Sequence, residues 1–275
     1  MKRLLISLGL LACSLAAATA ADAQTVFKLE PYRKTVALRA SINGQEGLFA
    51  FDTAGGISLL TPGFAQRAGC TPWGRVSGHR MMGDRIDTPL CSNLAVAVDG
   101  QRLDSPAMAV LDLMKLFPPD AQPLDGLLAL DLFAGKTISI DFPNQRLTIE
   151  TPDSLRQRLQ GATEFPMRMA RELQGRALAV SVGVPTPQGL VWMELDSGNG
   201  GTILVSKPYA ALFKLDPAQE GPQAVDFALG AGNLRVAGRA FTPDMIIDGN
   251  IGMPFLKDVV LTLDLAAGRL WIKRP

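Results

Sequence analysis

Two aspartates, each followed by a hydroxyl residue, are the strongest candidates for chemistry in this sequence. Asp52 precedes Thr53, Asp196 precedes Ser197, and glycine-rich residues follow both pairs. A single aspartate of this kind is common in turns, because its carboxylate accepts backbone hydrogen bonds. Two such carboxyls side by side would share one proton, so that one could activate a water molecule while the other donates a proton to a carbonyl group. This chemistry is hydrolysis, and it needs neither a metal nor a histidine.

Composition excludes several other kinds of site. The chain has 275 residues, 47% of them hydrophobic, which is enough for one large core or two small ones. Its 27 basic and 26 acidic residues leave no positive excess for nucleic acid. With one histidine, His79, and three cysteines, a histidine-rich zinc centre is excluded and a cysteine-rich one is disfavoured. We therefore expect no metal, no cofactor and no nucleic-acid partner.

Both aspartates belong to an internal duplication. Each lies between two apolar segments, and each copy later has an Asp-Gly segment and a terminal pair of alternating strands. The matching residues are 47–61 and 189–206, 125–133 and 248–256, and 138–149 and 261–272. Plentiful glycine and proline, with little helical periodicity, favour strands joined by turns. A two-fold arrangement of the copies would bring the two aspartate loops together at the axis.

The sequence resembles the retropepsin-like branch of the aspartic proteases, within the pepsin and retropepsin superfamily, as found in bacteria. The resemblance covers most of residues 26–275 in two copies. The segments that carry it are Asp52-Thr53-Ala54 with Gly55 and Gly56, Asp196-Ser197-Gly198 with Asn199 and Gly200, Leu127-Leu128-Ala129, and Asn250-Ile251-Gly252.

This resemblance implies an all-β fold. Two similar acid-protease β-barrel lobes, residues 24–155 and 156–275, would be related by a pseudo-two-fold axis, with an active-site cleft between them. Because one chain holds both halves, a monomer could be complete. The implied activity is that of an aspartic-type endopeptidase, and the implied partner is a peptide or protein substrate.

The resemblance also implies roles for individual residues. Asp52 and Asp196 would be catalytic, and the hydroxyl groups that follow them would link the two loops. The supporting residues of these loops would be Thr53, Ala54, Ser197 and Gly198.

The first copy departs from the family pattern at two positions. Ala54 and Ala129 stand where the family has glycine, whose backbone tolerates closer approaches than alanine allows. In the second copy, Asn250 interrupts an otherwise apolar pair. These departures leave open a catalytically impaired or inactive protein that binds peptides in the cleft between the lobes. A further alternative is that each copy pairs with another chain.

Two hairpins are candidate flaps over the cleft, with surface hairpins as the alternative interpretation. The first includes His79, which we interpret as a surface histidine. The second has a glycine-rich tip. The candidate flap residues are Met81, Met82 and Gly83 in the first hairpin and Gly230, Ala231 and Gly232 in the second.

The N-terminus has the pattern of an export signal. Residues 1–23 contain a charged start, an apolar middle and a small-residue cleavage site, which predicts a signal peptide and a periplasmic or secreted protein. Cys13 leaves open the alternative of a lipid-anchored protein. No other segment could cross a bilayer. In an exported chain, the remaining pair, Cys70 and Cys91, predicts a disulfide, with two buried free thiols as the alternative.

Overall fold

The structure of the protein is a computed structural model that describes residues 24–105, 107–230 and 233–275. The expected signal peptide, residues 1–23, and the alternative lipidation site at Cys13 lie outside the described residues. So do Ala231 and Gly232 of the second candidate flap. None of the described helices is long and apolar enough to cross a membrane.

The described residues form mostly strands. In chain order these are β1 (Thr25–Lys28), β2 (Glu30–Tyr32), β3 (Thr35–Ile42), β4 (Gln45–Asp52), β5 (Leu59–Leu60), β6 (Trp73–His79), β7 (Arg85–Ser92), β8 (Val96–Val98), β9 (Gln101–Leu103), β10 (Ala107–Val110), β11 (Gly126–Ala129), β12 (Thr137–Asp141), β13 (Arg146–Ile149), β14 (Thr163–Phe165), β15 (Met167–Ala170), β16 (Ala179–Thr186), β17 (Gly189–Leu195), β18 (Ile203–Val205), β19 (Gln223–Ala228), β20 (Arg235–Phe241), β21 (Gly249–Ile251), β22 (Val260–Asp264) and β23 (Arg269–Lys273).

Helices are few and short. The α-helices are α1 (Pro62–Arg67), α2 (Pro152–Arg158) and α3 (Met253–Leu256), and the 3₁₀ helices are Leu113–Leu116, Leu130–Phe133 and Lys207–Phe213. Thr61 and Thr151 cap α1 and α2 by accepting a backbone N–H, and a proline follows each cap. The expected division between residues 155 and 156 falls within α2 and stays a prediction.

Both halves of the chain build one six-stranded sheet, in the order β1-β13-β12-β22-β23-β14. At its centre, β12 and β22 pair antiparallel, with Ser139 opposite Thr262 and their hydroxyl oxygens 2.9 Å apart. These two residues occupy matching positions of the duplication, so a pseudo-two-fold axis passes between them. Each half contributes three strands to this sheet.

The other strands form one sheet in each half. The first half has a ten-stranded sheet, ordered β6-β7-β10-β5-β11-β4-β3-β8-β9 with β2 beside β3, and the second a seven-stranded sheet, ordered β15-β16-β17-β21-β18-β20-β19. Strand β4 runs parallel to β11, as β17 does to β21. Strands β8 and β9 have no counterpart among the described strands of the second half, whereas β10 lies parallel to β5 as β20 does to β18. The predicted all-β fold with two similar lobes is confirmed.

The disulfide between Cys70 and Cys91 is confirmed. It joins the segment after α1 to β7, with the two Cα atoms 5.9 Å apart. Most of the β6–β7 hairpin lies within the loop that this bond closes. The tip of the hairpin contacts Ile246 of the other half. A disulfide indicates that the protein resides in an oxidising compartment.

Candidate active site

Asp52 lies at the end of β4, where the alternation of a strand separates its two faces. Phe49 and Phe51 have side chains buried in the core, and Ala50 and Asp52 on the other face line a cavity of about 590 Å³, which the strand also borders at Phe51. Successive side chains of a strand point to opposite faces, so the residue two positions before a cavity-lining aspartate also faces the cavity. The strand thus presents a carboxyl to the cavity from an otherwise apolar element.

The second copy presents Asp196 in the same way. Met193 and Leu195 are buried in the core, whereas Glu194 and Asp196 line the same cavity. The structure therefore places the two duplicated aspartates beside one shared opening. It also adds a third carboxyl, that of Glu194, at the position that Ala50 holds in the first copy.

Thr53 and Ser197 join the two aspartate loops through reciprocal hydrogen bonds. The backbone N–H of Thr53 donates to Oγ of Ser197, and the N–H of Ser197 donates to Oγ1 of Thr53, each at 3.0 Å. The Thr53 hydroxyl donates to the carbonyl of Leu195 at 2.5 Å, and the Ser197 hydroxyl donates to the carbonyl of Phe51 at 2.9 Å. Both hydroxyl residues are fully buried. Their bonds fix the two loops, and so the two carboxyls, against each other.

The two carboxyls have raised pKa values. Burial, followed by the neighbouring charge of Asp196, raises the pKa of Asp52 well above its ordinary value. Burial also raises the pKa of Asp196, although hydrogen bonds from Asn250 and from the backbone oppose the increase. This direction favours one protonated carboxyl in the pair at a pH where two exposed aspartates would both be ionised.

Gly198 leaves the space that the Asp52 carboxyl occupies beside the second loop. A β-carbon at this position would lie 2.5 Å from Oδ2 and 2.7 Å from Cγ of Asp52. Its backbone N–H donates to Oδ1 of Asp196 at 2.8 Å, and the N–H of Ala54 donates to Oδ1 of Asp52 at 2.9 Å. Alanine at position 54 thus keeps the backbone hydrogen bond that the family glycine would supply.

The Ala129 departure is accommodated by a different loop conformation. In the second copy, a β-carbon at Gly252 would lie 2.4 Å from the carbonyl oxygen of Asn199, which accepts the N–H of Met253. In the first copy, the matching carbonyl of Gly55 instead accepts the N–H of Ile57. The buried methyl group of Ala129 therefore does not meet the carbonyl that would exclude it in the second copy.

The first candidate flap covers the cavity. Met81 lines it at the tip of the β6–β7 hairpin and accepts the backbone N–H of Ile246, from the other half, at 3.0 Å. Gly83 adopts a φ of 88° beside Ile246, and Met82 is exposed. This hairpin therefore spans the cleft with its tip held on the opposite lobe.

The second candidate flap lies elsewhere. Gly230, at the end of β19, is nearest to Phe165 and Pro185, and it is not among the described residues that line the cavity. The matching hairpins of the two halves are thus used differently. A flap role for the second hairpin stays a prediction without support from its position.

Three cavity residues were missed or misplaced by sequence reasoning. His79, interpreted as a surface histidine, is exposed but lines the cavity from the flap. Glu194 lines it from β17, and Glu172 lines it from the segment between β15 and β16. Burial, with the charges of Asp196 and Glu172, raises the pKa of Glu194 to about 8. A charged residue facing the same side of a strand as Asp196 was the signal that could have identified Glu194.

Comparisons with known proteins show the fold alone. No protein-family model matches the sequence, and no curated protein matches it. Basic 7S globulin from soybean is similar in structure, with a TM-score of 0.60, 10% identity, and 91% of this chain and 94% of that chain covered. Conglutin gamma, a basic 7S globulin from lupine seeds, has a TM-score of 0.59 and 11% identity, with 92% and 95% covered. Both are named as globulins rather than as enzymes. The chain accordingly has the all-β, two-lobed fold of pepsin-like proteins.

Proposed function

We propose that this protein is an exported aspartic endopeptidase of the bacterial retropepsin-like type, which hydrolyses peptide bonds with water activated between Asp52 and Asp196. The observation that carries the proposal is the reciprocal pairing of Thr53 and Ser197, which holds the half-buried Asp52 and the buried Asp196 beside one cavity. The flap over that cavity adds a place where an extended peptide could lie. The single chain with both lobes favours an active monomer.

The proposed reaction uses one ionised and one protonated carboxyl. The ionised carboxyl takes a proton from water as the water oxygen bonds to the peptide carbonyl carbon, and the protonated carboxyl donates its proton to the carbonyl oxygen. In the tetrahedral intermediate, the proton taken from water passes to the amide nitrogen, and the carbon–nitrogen bond breaks. One hydroxyl of the intermediate returns its proton to the second carboxyl, so the carbonyl reforms as a carboxylic acid and the dyad is restored.

The test of this function is cleavage of a denatured protein between pH 3 and 7. We expect activity in the wild type and its loss in Asp52→Asn and in Asp196→Asn, with the double variant no worse than either single one, because the two residues act as a unit. Asp153→Asn, an exposed aspartate of α2, is the matched control and should retain activity. Full activity in both dyad variants would exclude the mechanism.

The alternative is a protein that binds peptides in the cleft without cleaving them. Ala54 and Ala129, which replace family glycines, favour this alternative, as does the similarity to structures named as globulins. Saturable peptide binding without turnover, unchanged by either Asp→Asn substitution, would support it.

Export is part of the proposal. The confirmed disulfide and the signal-like residues 1–23 support a periplasmic or secreted protein. The N-terminal sequence of the protein recovered from its native host would test this, with Gln24 expected as the first residue. A lipidated Cys13 at the N-terminus would instead establish the anchored alternative.

A further inference from the structure

The carboxyl groups of Asp52 and Asp196 have unequal hydrogen-bond partners. Oδ1 of Asp196 accepts the backbone N–H groups of Gly198 and Asn199, at 2.8 and 3.0 Å, and its Oδ2 accepts Nδ2 of Asn250 at 2.6 Å. Among the described residues outside the dyad, Asp52 has one such donor, the N–H of Ala54 at 2.9 Å. A carboxylate with three donors is stabilised in its charged form more than a carboxylate with one.

Backbone groups fix the orientation of the Asn250 amide. The N–H groups of Gly201 and Thr202 donate to Oδ1 of Asn199, each at 3.2 Å, so the Asn199 Nδ2 faces the other way. That Nδ2 donates to Oδ1 of Asn250 at 2.8 Å, which leaves the Asn250 Nδ2 directed at Asp196. Since an amide nitrogen has hydrogens but no acceptor, this contact suits an ionised oxygen and opposes a protonated one. Asn250 is fully buried, so water does not replace the contact.

The first copy has no such donor. Leu127 pairs with Ala50 in the first half as Asn250 pairs with Glu194 in the second, so Leu127 and Asn250 occupy matching positions. Gly55 likewise stands where the second copy has Asn199. Leucine cannot donate a hydrogen bond. The duplication is therefore symmetric in its aspartates and asymmetric in the residues that contact them.

We propose that Asn250 is a positioning residue that keeps Asp196 as the ionised member of the dyad and leaves the shared proton on Asp52. This inference rests on the proposed function for its chemical meaning. Asp196 would then take the proton from water, and Asp52 would donate to the carbonyl oxygen of the peptide. Sequence duplication alone would leave these two roles interchangeable.

Other charged groups near the dyad do not reverse this assignment. Burial raises the pKa of Glu194 to about 8, so this carboxyl, which lines the same cavity, is uncharged through the acid range. Glu172 acts on Glu194 from the segment before β16. His79 and Arg80 line the cavity from the flap, and neither forms an ion pair with these carboxyls in the described residues.

The direct test is a titration of the two carboxyls by NMR, with ¹³C-labelled aspartate in the whole chain. Resonances are assigned by their absence in Asp52→Asn and Asp196→Asn. In the wild type, we expect Asp196 to titrate at lower pH than Asp52. In Asn250→Leu, which places the residue of position 127 at position 250, the difference between the pKa values of the two aspartates should narrow. In the exchanged variant Leu127→Asn/Asn250→Leu, each carboxyl would have two donors outside the dyad, so the difference between the two pKa values should narrow further than in Asn250→Leu.

Asn250→Ala is a second variant in case leucine at position 250 prevents folding. Asn199 keeps a partner in both variants, because its Nδ2 also donates to the carbonyl of Thr202 at 3.1 Å. A difference between the two pKa values that is unchanged in Asn250→Ala or Asn250→Leu would overturn the proposal. So would a wild type in which Asp52 titrates first.

Kinetics provide a second readout. Loss of a hydrogen bond to a charged group corresponds to about a tenfold to hundredfold decrease in kcat, and the acid limb of the pH profile should move to higher pH. Asn250→Ser, which keeps a donor group, should recover part of kcat. A protein without peptidase activity would refute the proposed function, yet the NMR titration would still decide the asymmetry of the carboxyls.

Discussion

Gly198→Ala is the substitution for which the structure makes the sharpest prediction. The added methyl carbon would lie 2.5 Å from Oδ2 of Asp52, whereas ordinary contact begins at 3.4 Å, so one of the two groups must move by about 0.9 Å. The Asp52 carboxyl accepts the N–H of Ala54, and the Gly198 loop is held by the buried Ser197 hydroxyl. Movement of either group would shift the two carboxyls relative to each other.

The size of the effect follows from this displacement. A misplacement of about 1 Å in a catalytic group can cost about a hundredfold in rate, so we expect kcat to fall by about that factor or more. The substitution should also decrease the stability of the fold by about 1–3 kcal/mol, which is the usual effect of overpacking a buried site.

Matched variants separate this contact from the general effect of replacing glycine. A β-carbon at Gly201, in the same loop, meets no described atom within 4 Å, so Gly201→Ala should retain activity. Ala54→Gly restores the family glycine in the other copy and should change kcat little, with about 0.5–1 kcal/mol lost from backbone entropy. The assays are cleavage of a fluorogenic peptide and denaturant unfolding. Wild-type activity in Gly198→Ala would refute the reasoning about close carboxyl packing.

Three further predictions concern stability and pH. Replacing Cys70 and Cys91 by serine should decrease the free energy of unfolding by about 3 kcal/mol, because the bond closes a loop with a sequence separation of 21. The reduced wild type should then be as stable as the serine variant, and a serine variant that is less stable than the reduced wild type would contradict this cause. Burial raises the pKa of Asp131 from 3.8 to about 6, so its stabilising contribution is complete below the unfolded pKa and is lost as pH increases through about 6. The free energy of unfolding of the wild type in urea, relative to that of Asp131→Asn, should therefore decrease by up to about 3 kcal/mol between pH 4 and 7. The same dependence of this free energy on pH in both proteins would contradict the prediction. Because burial raises the pKa of Glu194 to about 8, its carboxyl is uncharged between pH 3 and 7, and Glu194→Gln should leave the pH dependence of activity in that range nearly unchanged; a profile displaced to lower pH would show that Glu194 is charged there.

Local patterns in the sequence were sufficient to predict the fold and the positions of the two aspartates on their strands. Alternation along β4 and β17 places Asp52 and Asp196 on a face opposite to the core, because side chains of a strand alternate regardless of what the strand packs against. The duplication adds the two-fold relation, since similar segments fold into similar units. The cysteine pair was likewise predictable from number and compartment, and it is confirmed.

Other features depend on contacts between residues that are distant in the chain. In the sequence, Asn250 is recognisable only as an interruption of an apolar pair. The parallel pairing of β17 and β21 brings its side chain to the Asp196 carboxyl, which lies 54 positions earlier in the chain. The two candidate flaps fall in comparable places of the two copies, yet only β6–β7 lines the cavity among the described residues, and its tip contacts Ile246 of the other lobe.

The sequence by itself determined which residue types recur and which face of each strand they occupy, because both follow from backbone periodicity. The tertiary structure decided which of the repeated elements meet. It alone made two similar copies unequal around Asp52 and Asp196, because burial and hydrogen bonding at a carboxyl depend on all the elements that pack around it.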